Sequence, residues 1–244
     1  MLPVLGRSGR SSGGSGGGGA GPALKAFPLV TTGLGTTSTL AVNVGATDAG
    51  DEIRIFVRQA SGTPVFTPPA NFDLIEEIVV NNAKTAAYRW NGTGTRPDGS
   101  SVTFTSSESR NSTAFSLIFS GAQQAEGVHG VIAEVTGSGQ VTGPTGLSPS
   151  ADSLIMHVWM ESGSPILTIN APTTGFSLDA PATYPAVAGL LEGDPNVATP
   201  DWSAGITSTT LHWGSHGGGT YVPPVVTPSG FTRTGCITME ILAA

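Results

Sequence analysis

The feature that most constrains this chain is a series of short segments in which apolar residues occupy every second position. In one of them Ile53, Ile55 and Val57 alternate with a second set of positions that includes the charged residues Glu52, Arg54 and Arg58. Side chains leave a β-strand on its two faces in turn, so this spacing predicts a strand with one buried and one solvated face. Similar segments recur along the chain, and turn-forming pairs such as Asn91-Gly92 and Asp98-Gly99 separate some of them. The pattern predicts an all-β protein.

The composition favours short strands joined by turns. Only 11% of residues are charged, whereas an average globular protein has about 25%. Glycine is abundant, with 35 residues, and several residue types that favour helices are scarce. We therefore predict an antiparallel β-sandwich of jelly-roll-like type behind a glycine-rich N-terminal arm.

The chain is predicted to have three segments. Residues 1–30 form the arm, because residues 11–21 are almost entirely Gly and Ser and such a stretch is flexible on its own. An internal sequence repeat, which we call the internal echo, divides the rest of the chain. Residues 51–67 align without gaps to residues 152–168, with six identities. The two related halves are either two sheets of one sandwich or two packed small sandwiches. Their predicted bounds are 31–137 and 138–244.

Charge and hydropathy exclude two classes of partner. The net charge is −7, and the basic patch that nucleic-acid binding requires is missing, so no nucleic acid is expected. No run of 18 apolar residues is present, so no membrane span is expected either. Residues 1–21 lack the apolar core of a secretory signal, which predicts release from a cell by lysis or by dedicated export.

The residues that ligate metals do not converge in a recognised pattern. His212 and His216 are four residues apart, but the glycines around them predict a strand end and a loop, not the helix face that makes this spacing useful. Asp48, Asp51 and Glu52 are close in sequence but lack the spacing of a calcium loop. We predict no metal and no cofactor.

Side chains of the types that serve in catalysis are present, but the sequence does not arrange them in a catalytic motif. The G-x-S-x-G motif of serine hydrolases is absent. Paired carboxylates for glycoside hydrolysis would have to face one groove, and nothing in the sequence pairs the candidates. We predict that the protein is not an enzyme, that Cys236 is a small buried residue, and that His157 projects to solvent from a strand. The carboxylate candidates are Glu76, Glu77, Glu126, Glu134 and Glu161.

Three aromatic residues in or near predicted loops are candidates for contact with a glycan: Trp202, Trp213 and Tyr221. Sugar rings pack on exposed aromatic faces, and binding residues gather on loops carried by a rigid scaffold. For Trp213 and Tyr221 the alternative is packing in the core or at its rim.

Several motifs follow one another in the first half: Ala49-Gly50-Asp51, Thr67-Pro68-Pro69-Ala70-Asn71-Phe72, Tyr88-Arg89-Trp90 and Val102-Thr103-Phe104. In this order they resemble a pattern of tailed-phage and gene-transfer-particle virion proteins, in which a glycine usually stands at the position of Asn71. The resemblance covers about residues 38–240. It implies a β-sandwich carried on a virion, as a head fibre, a decoration protein or a tail fibre component.

The function that this resemblance implies is structural. The protein would project from the surface of a bacteriophage particle, bind other capsid or tail proteins, and contact host glycans. It would be assembled in the host cytoplasm and released by lysis. The alternative is a bacterial carbohydrate-binding module or adhesin without a particle. The residues expected to anchor the arm are Leu2, Val4, Leu5, Arg7, Arg10, Leu24 and Phe27.

Self-association is also expected. A surface poor in Lys and Glu matches the composition of protein interfaces, and unpaired strand edges need cover against aggregation. We predict a homo-oligomer, with a trimer as one candidate.

Overall fold

The described part of the chain is entirely β, with antiparallel sheets, which confirms the predicted fold class. No helix among those residues is long and apolar enough to cross a membrane. The computed structural model describes residues 21–33, 38–59, 62–110, 112–162, 168–170, 176–178, 208–216, 221, 223–227 and 232–244.

The first eight strands form one unit, which we call the first unit. β5 and β6 are joined by the two-residue turn Asn81-Asn82, in which both residues have positive φ (50° and 60°), the geometry of a type I′ hairpin. The strands are β1 (Ala23–Gly33), β2 (Thr39–Asn43), β3 (Glu52–Gln59), β4 (Phe66–Thr67), β5 (Phe72–Val80), β6 (Ala83–Trp90), β7 (Ser101–Ser106) and β8 (Ser112–Ser120).

The other eight strands form the second unit, which follows a connection at residues 121–128. The long strand β11 lies at the centre of its sheet, between β14 and β16. The strands are β9 (His129–Gly137), β10 (Val141–Thr142), β11 (Ser153–Ser162), β12 (Thr168–Asn170), β13 (Phe176–Leu178), β14 (Ser208–His216), β15 (Val225–Thr227) and β16 (Thr232–Ile241).

The two units have the same strand order. The first has a five-stranded sheet, β1-β8-β3-β6-β5, and a three-stranded sheet, β2-β7-β4; the second has β9-β16-β11-β14-β13 and β10-β15-β12. Each strand of the second unit therefore occupies the same position in its sheet as the strand numbered eight lower occupies in the first unit. Within a unit the first strand pairs with the eighth, the second with the seventh and the third with the sixth. These three pairings are those of a jelly roll, but the fourth and fifth strands depart from that fold, because β4 pairs with β7 and β5 with β6, and the second unit repeats this arrangement.

The sheets are stacked in four layers, because the two five-stranded sheets pack face to face. A central core between them contains Phe56, Phe115, Met156 and Ile237. A second core fills the space between the two sheets of the first unit. A smaller one, which includes Trp159, does the same in the second unit.

The strand order differs from two predicted boundaries. Residues 23–30, assigned to the arm, belong to β1, which pairs with β8. A division at residue 137 would separate β9 from β16, with which it pairs, whereas the repeat of the strand order starts at β9. The boundary between the two units along the chain therefore lies in the connection, residues 121–128.

Candidate functional site

The charged residues of β3 are buried, not solvated. Every residue of this strand is buried, because Ile53, Ile55 and Val57 face the three-stranded sheet while the opposite face meets the second unit. The prediction of a half-buried strand is therefore wrong. Two of its three charged side chains, Glu52 and Arg54, lie between the units instead of in water, with exposed fractions of 0% and 1%, and the third, Arg58, is buried as well.

Glu52 and Arg54 form an ion pair on this buried face. Nε of Arg54 lies 2.9 Å from Oε1 of Glu52, and Nη2 of Arg54 donates to the backbone carbonyl of Glu240 in the second unit at 3.4 Å. Neither carboxylate oxygen of Glu52 accepts a hydrogen bond of good geometry from the described residues. Loss of hydration raises the pKa of Glu52 to about 7, against the attraction of Arg54 and two further arginines. The same burial lowers the pKa of Arg54.

A second set of charges continues from this pair to the edge of the sheets. Nη2 of Arg89 on β6 lies 3.5 Å from Oδ2 of Asp73 on β5, and its Nε lies 3.9 Å from Oε2 of Glu126 in the connection. His129, the first residue of β9, lies between two carboxylates. Its Nε2 is 2.8 Å from Oε1 of Glu126, and its Nδ1 is 2.8 Å from Oε1 of Glu76 on β5. We call Glu76, His129 and Glu126 the junction triad.

Glu240 holds the connection against β16. Its carboxylate accepts hydrogen bonds from the backbone N–H of Val128 at 2.8 Å and of Ser150 at 2.5 Å. The side chain is buried, so these bonds are shielded from water. Gly127 passes so close that an added Cβ would lie 2.8 Å from Cβ of Glu240. The position of Glu126 in the junction triad is therefore fixed by its neighbours.

A separate polar cluster lies inside the second unit. His157 is fully buried, and its Nδ1 lies 2.8 Å from Oγ1 of Thr238, so the prediction that it projects to solvent is wrong. The ring of Tyr221 stacks on His157, with centroids 6.2 Å apart, and meets the edge of His216. Cys236 is buried beside Thr238, as predicted, and burial raises the pKa of its thiol.

The residues considered for metals do not come together as ligands. In a strand, four residues span about 13 Å, so His212 and His216 of β14 are too far apart to share an ion. Asp48 and Asp51 are paired with Lys25, whose Nζ lies 2.5 Å from Oδ2 of Asp48 and 2.8 Å from Oδ2 of Asp51. The described residues contain no group of three or more His, Cys, Asp or Glu residues that could hold a metal.

The predicted glycan contacts are not supported by burial. Trp213 is 9% exposed and packs in the central core, and Tyr221 is 8% exposed beside the two histidines. Neither ring offers the open face that a sugar needs. Trp202 lies outside the described residues.

The predicted anchor residues are mostly outside the described part. Leu24 packs against the central core, which makes it part of the body and not a free anchor. Phe27 lies in β1, where the backbone alone is described. Leu2, Val4, Leu5, Arg7 and Arg10 lie outside the described residues.

The junction triad was missed at the level of sequence. In the sequence Glu76 and Glu126 stand out only as carboxylates by type, and nothing singles out His129. The charges of Glu52 and Arg54 on one face of a predicted strand indicate only that this face needs polar partners if it is covered, and they do not identify the triad.

Comparisons of the chain with protein-family models, with curated proteins and with solved structures give no match.

Proposed function

We propose that this protein is a structural component of a bacteriophage virion, a head fibre, decoration or tail fibre protein that projects from the particle surface. The observation that carries the proposal is the jelly-roll-like order of eight strands, which occurs twice in one chain. Jelly rolls are a common architecture of viral capsid proteins. The motifs of the first half, which resemble virion proteins, support the same assignment by analogy.

The four-layer stack suits a projecting body. Three apolar cores succeed one another across the stack, so each five-stranded sheet is covered on both faces. Close-packed interiors of this kind resist deformation. We expect the body to be carried by the N-terminal arm, which binds capsid or tail proteins, and to occur in several copies on each particle.

The test is to sediment a lysate of the cells that produce the protein and to measure how much of it is in each fraction. An antibody against the purified body should detect the protein in fractions that contain intact particles, at constant stoichiometry to the major capsid protein. Protein found entirely in the soluble fractions, while particles are present in others, would contradict the proposal.

The arm is tested by deletion of residues 2–20, which ends before β1 and leaves the body intact. The deletion should remove the protein from particles while its circular-dichroism spectrum and melting temperature stay unchanged. A matched control keeps the length and replaces Leu2, Val4 and Leu5 by Ser. Full occupancy of particles by both variants would show that the arm is not the anchor.

A glycan-binding role without a particle is the second candidate, because lectins also use jelly rolls. Since Trp213 and Tyr221 are buried, Trp202 is the predicted contact that still awaits a test. Binding of the isolated body to a glycan array that is lost in Trp202→Ala, together with the absence of the protein from particles, would favour this candidate over the virion role.

A further inference from the structure

His129 binds two carboxylates at once, one through each ring nitrogen. Nδ1 lies 2.8 Å from Oε1 of Glu76 and Nε2 lies 2.8 Å from Oε1 of Glu126. A neutral imidazole has one N–H and can donate to only one of them, whereas the imidazolium donates to both. The Nδ1 contact with Glu76 is a hydrogen bond and the Nε2 contact with Glu126 is an ion-pair distance, so the imidazolium suits both contacts, whereas a neutral ring turns an unprotonated nitrogen toward one of the carboxylates.

The triad joins the two units where their sheets end. β5 is an edge strand of the first five-stranded sheet and β9 is an edge strand of the second, and these two edge strands lie against each other. Glu76 belongs to β5 and His129 to β9, so their bond crosses from one unit to the other. Glu126 comes from the connection between the units and also faces Arg89 on β6.

The charged groups around His129 determine how loss of its proton affects the contacts between the two units. Glu76 and Asp73 face this region from β5, Arg89 from β6 and Glu126 from the connection. Behind them lie Glu52 and Arg54 on β3, and Arg96 approaches through its bond to the backbone of Asp51. Without the positive charge of the imidazolium, two carboxylates share a neutral ring that can satisfy one of them.

We propose that the junction triad is a proton-operated latch, which fastens the two units to each other in mildly acidic solution and loosens their contact in mildly alkaline solution. Histidine is the side chain suited to this range, since its charge ordinarily changes between about pH 5 and 8. The latch depends only on these contacts and not on the virion role, so it holds for either proposed function.

The buried pair next to the latch acts in the same direction. Burial raises the pKa of Glu52 from 4.5 to about 7 in the folded protein. A carboxyl with a raised pKa gives stability that is fully present below the unfolded value and is lost as the pH rises through the folded value. Glu52 therefore also favours the packed units at low pH, and its contribution must be separated from that of the triad.

Thermal unfolding of the full chain at about pH 5.5 and pH 8 separates the contribution of the junction triad from that of Glu52. Glu52 is present in every variant, so its contribution cancels when variants are compared. We expect the melting temperature of the wild type to fall by about 4 °C more between these pH values than that of His129→Gln or Glu76→Gln. The matched control is Glu77→Gln: this neighbour on β5 pairs with Lys84 and should keep the wild-type pH dependence.

A direct measurement keeps the inference testable if a variant fails to fold. The ¹⁵N signals of the His129 ring in the wild type report its protonation, and at pH 5.5 they should show an imidazolium with its Nδ1–H in a hydrogen bond. Amide exchange in β5 and β9, corrected for the intrinsic effect of pH, should be faster at pH 8. A neutral His129 ring at pH 5.5, or equal pH dependence of the wild type and His129→Gln, would overturn the latch.

Discussion

Gly235 controls how closely the two units approach, and its replacement by Ala gives a sharp test of the four-layer packing. Gly235 lies on β16 opposite Met160 of β11, on the side that faces β5. An added Cβ would lie 2.5 Å from Cγ2 of Val80 and 3.0 Å from Cδ1 of Ile78. A non-bonded contact this short is too close for a Cβ, so the side chain of Val80 or β5 itself must shift away from β16.

The expected cost follows from that overlap. Overpacking of a core costs about 1–3 kcal/mol, and each kcal/mol lowers the melting temperature of a chain of this size by about 2–4 °C. Gly235→Ala should therefore melt about 2–12 °C below the wild type in differential scanning calorimetry. The control is Gly139→Ala, because an added Cβ there has no neighbour within 4 Å; its melting temperature should be unchanged.

The double variant decides whether the contact with β5 is the cause. Val80→Ala removes the nearest methyl groups, and because Val80 is fully buried it is destabilising by itself. If Cβ of residue 235 meets Val80, the double variant should be more stable than the sum of the two single effects predicts, by about 1 kcal/mol or more. Additive effects, or a neutral Gly235→Ala, would refute the close packing of β5 on β16.

Three other changes test the buried charges, the hairpin and the thiol. Arg54→Met should destabilise the protein by about 3–5 kcal/mol at pH 8, because it leaves Glu52 ionised and buried. In urea unfolding the loss should be smaller at pH 5, where the raised pKa of Glu52, about 7, allows it to take up a proton. Asn82→Ala should cost about 1 kcal/mol in the same assay because φ is 60°, while Asn82→Gly should cost nothing; equal effects would contradict the type I′ turn. Cys236 should react with a thiol reagent only after unfolding, since it is buried and its pKa is raised; rapid labelling of the native protein would contradict its position.

Local alternation was enough to predict where strands form, but not what covers them. β2 has the alternating burial that its sequence indicates, with Leu40 and Val42 buried between exposed residues. β3 has the same kind of alternation, yet both of its faces are buried. The difference arises because the second unit, which begins only at His129, covers the charged face of β3. A short-range pattern contains no information about that partner.

The internal echo shows the same limit in another way. It correctly relates β3 to β11, which have corresponding places in the two strand orders. However, Val57 packs between the sheets of the first unit, whereas its aligned partner Val158 packs in the central core. Because a shift of one residue exchanges the two faces of a strand, a gap-free alignment can find equivalent strands and still assign their faces to the wrong layers.

The junction triad could not be predicted for a related reason. Glu76 and His129 are 53 positions apart, and they meet only because β5 and β9 are the adjacent edges of two stacked sheets. The triad is thus a consequence of how the units pack, and no spacing of residues along the chain indicates it.

The central core makes the two units parts of one body. Phe56 and Phe115 stack with ring centroids 4.7 Å apart, on the face of the first unit that the second unit covers. If the units separated, these rings would lose their cover, and so would Glu52 and Arg54, the only charged pair in the described part that is almost completely buried. Exposure of the rings opposes separation, since burial of apolar area is favourable, whereas rehydration of the ion pair favours it. Burial raises the pKa of Glu52 to about 7, so a change of pH through this range alters the balance between these two effects while the central core still holds the units together.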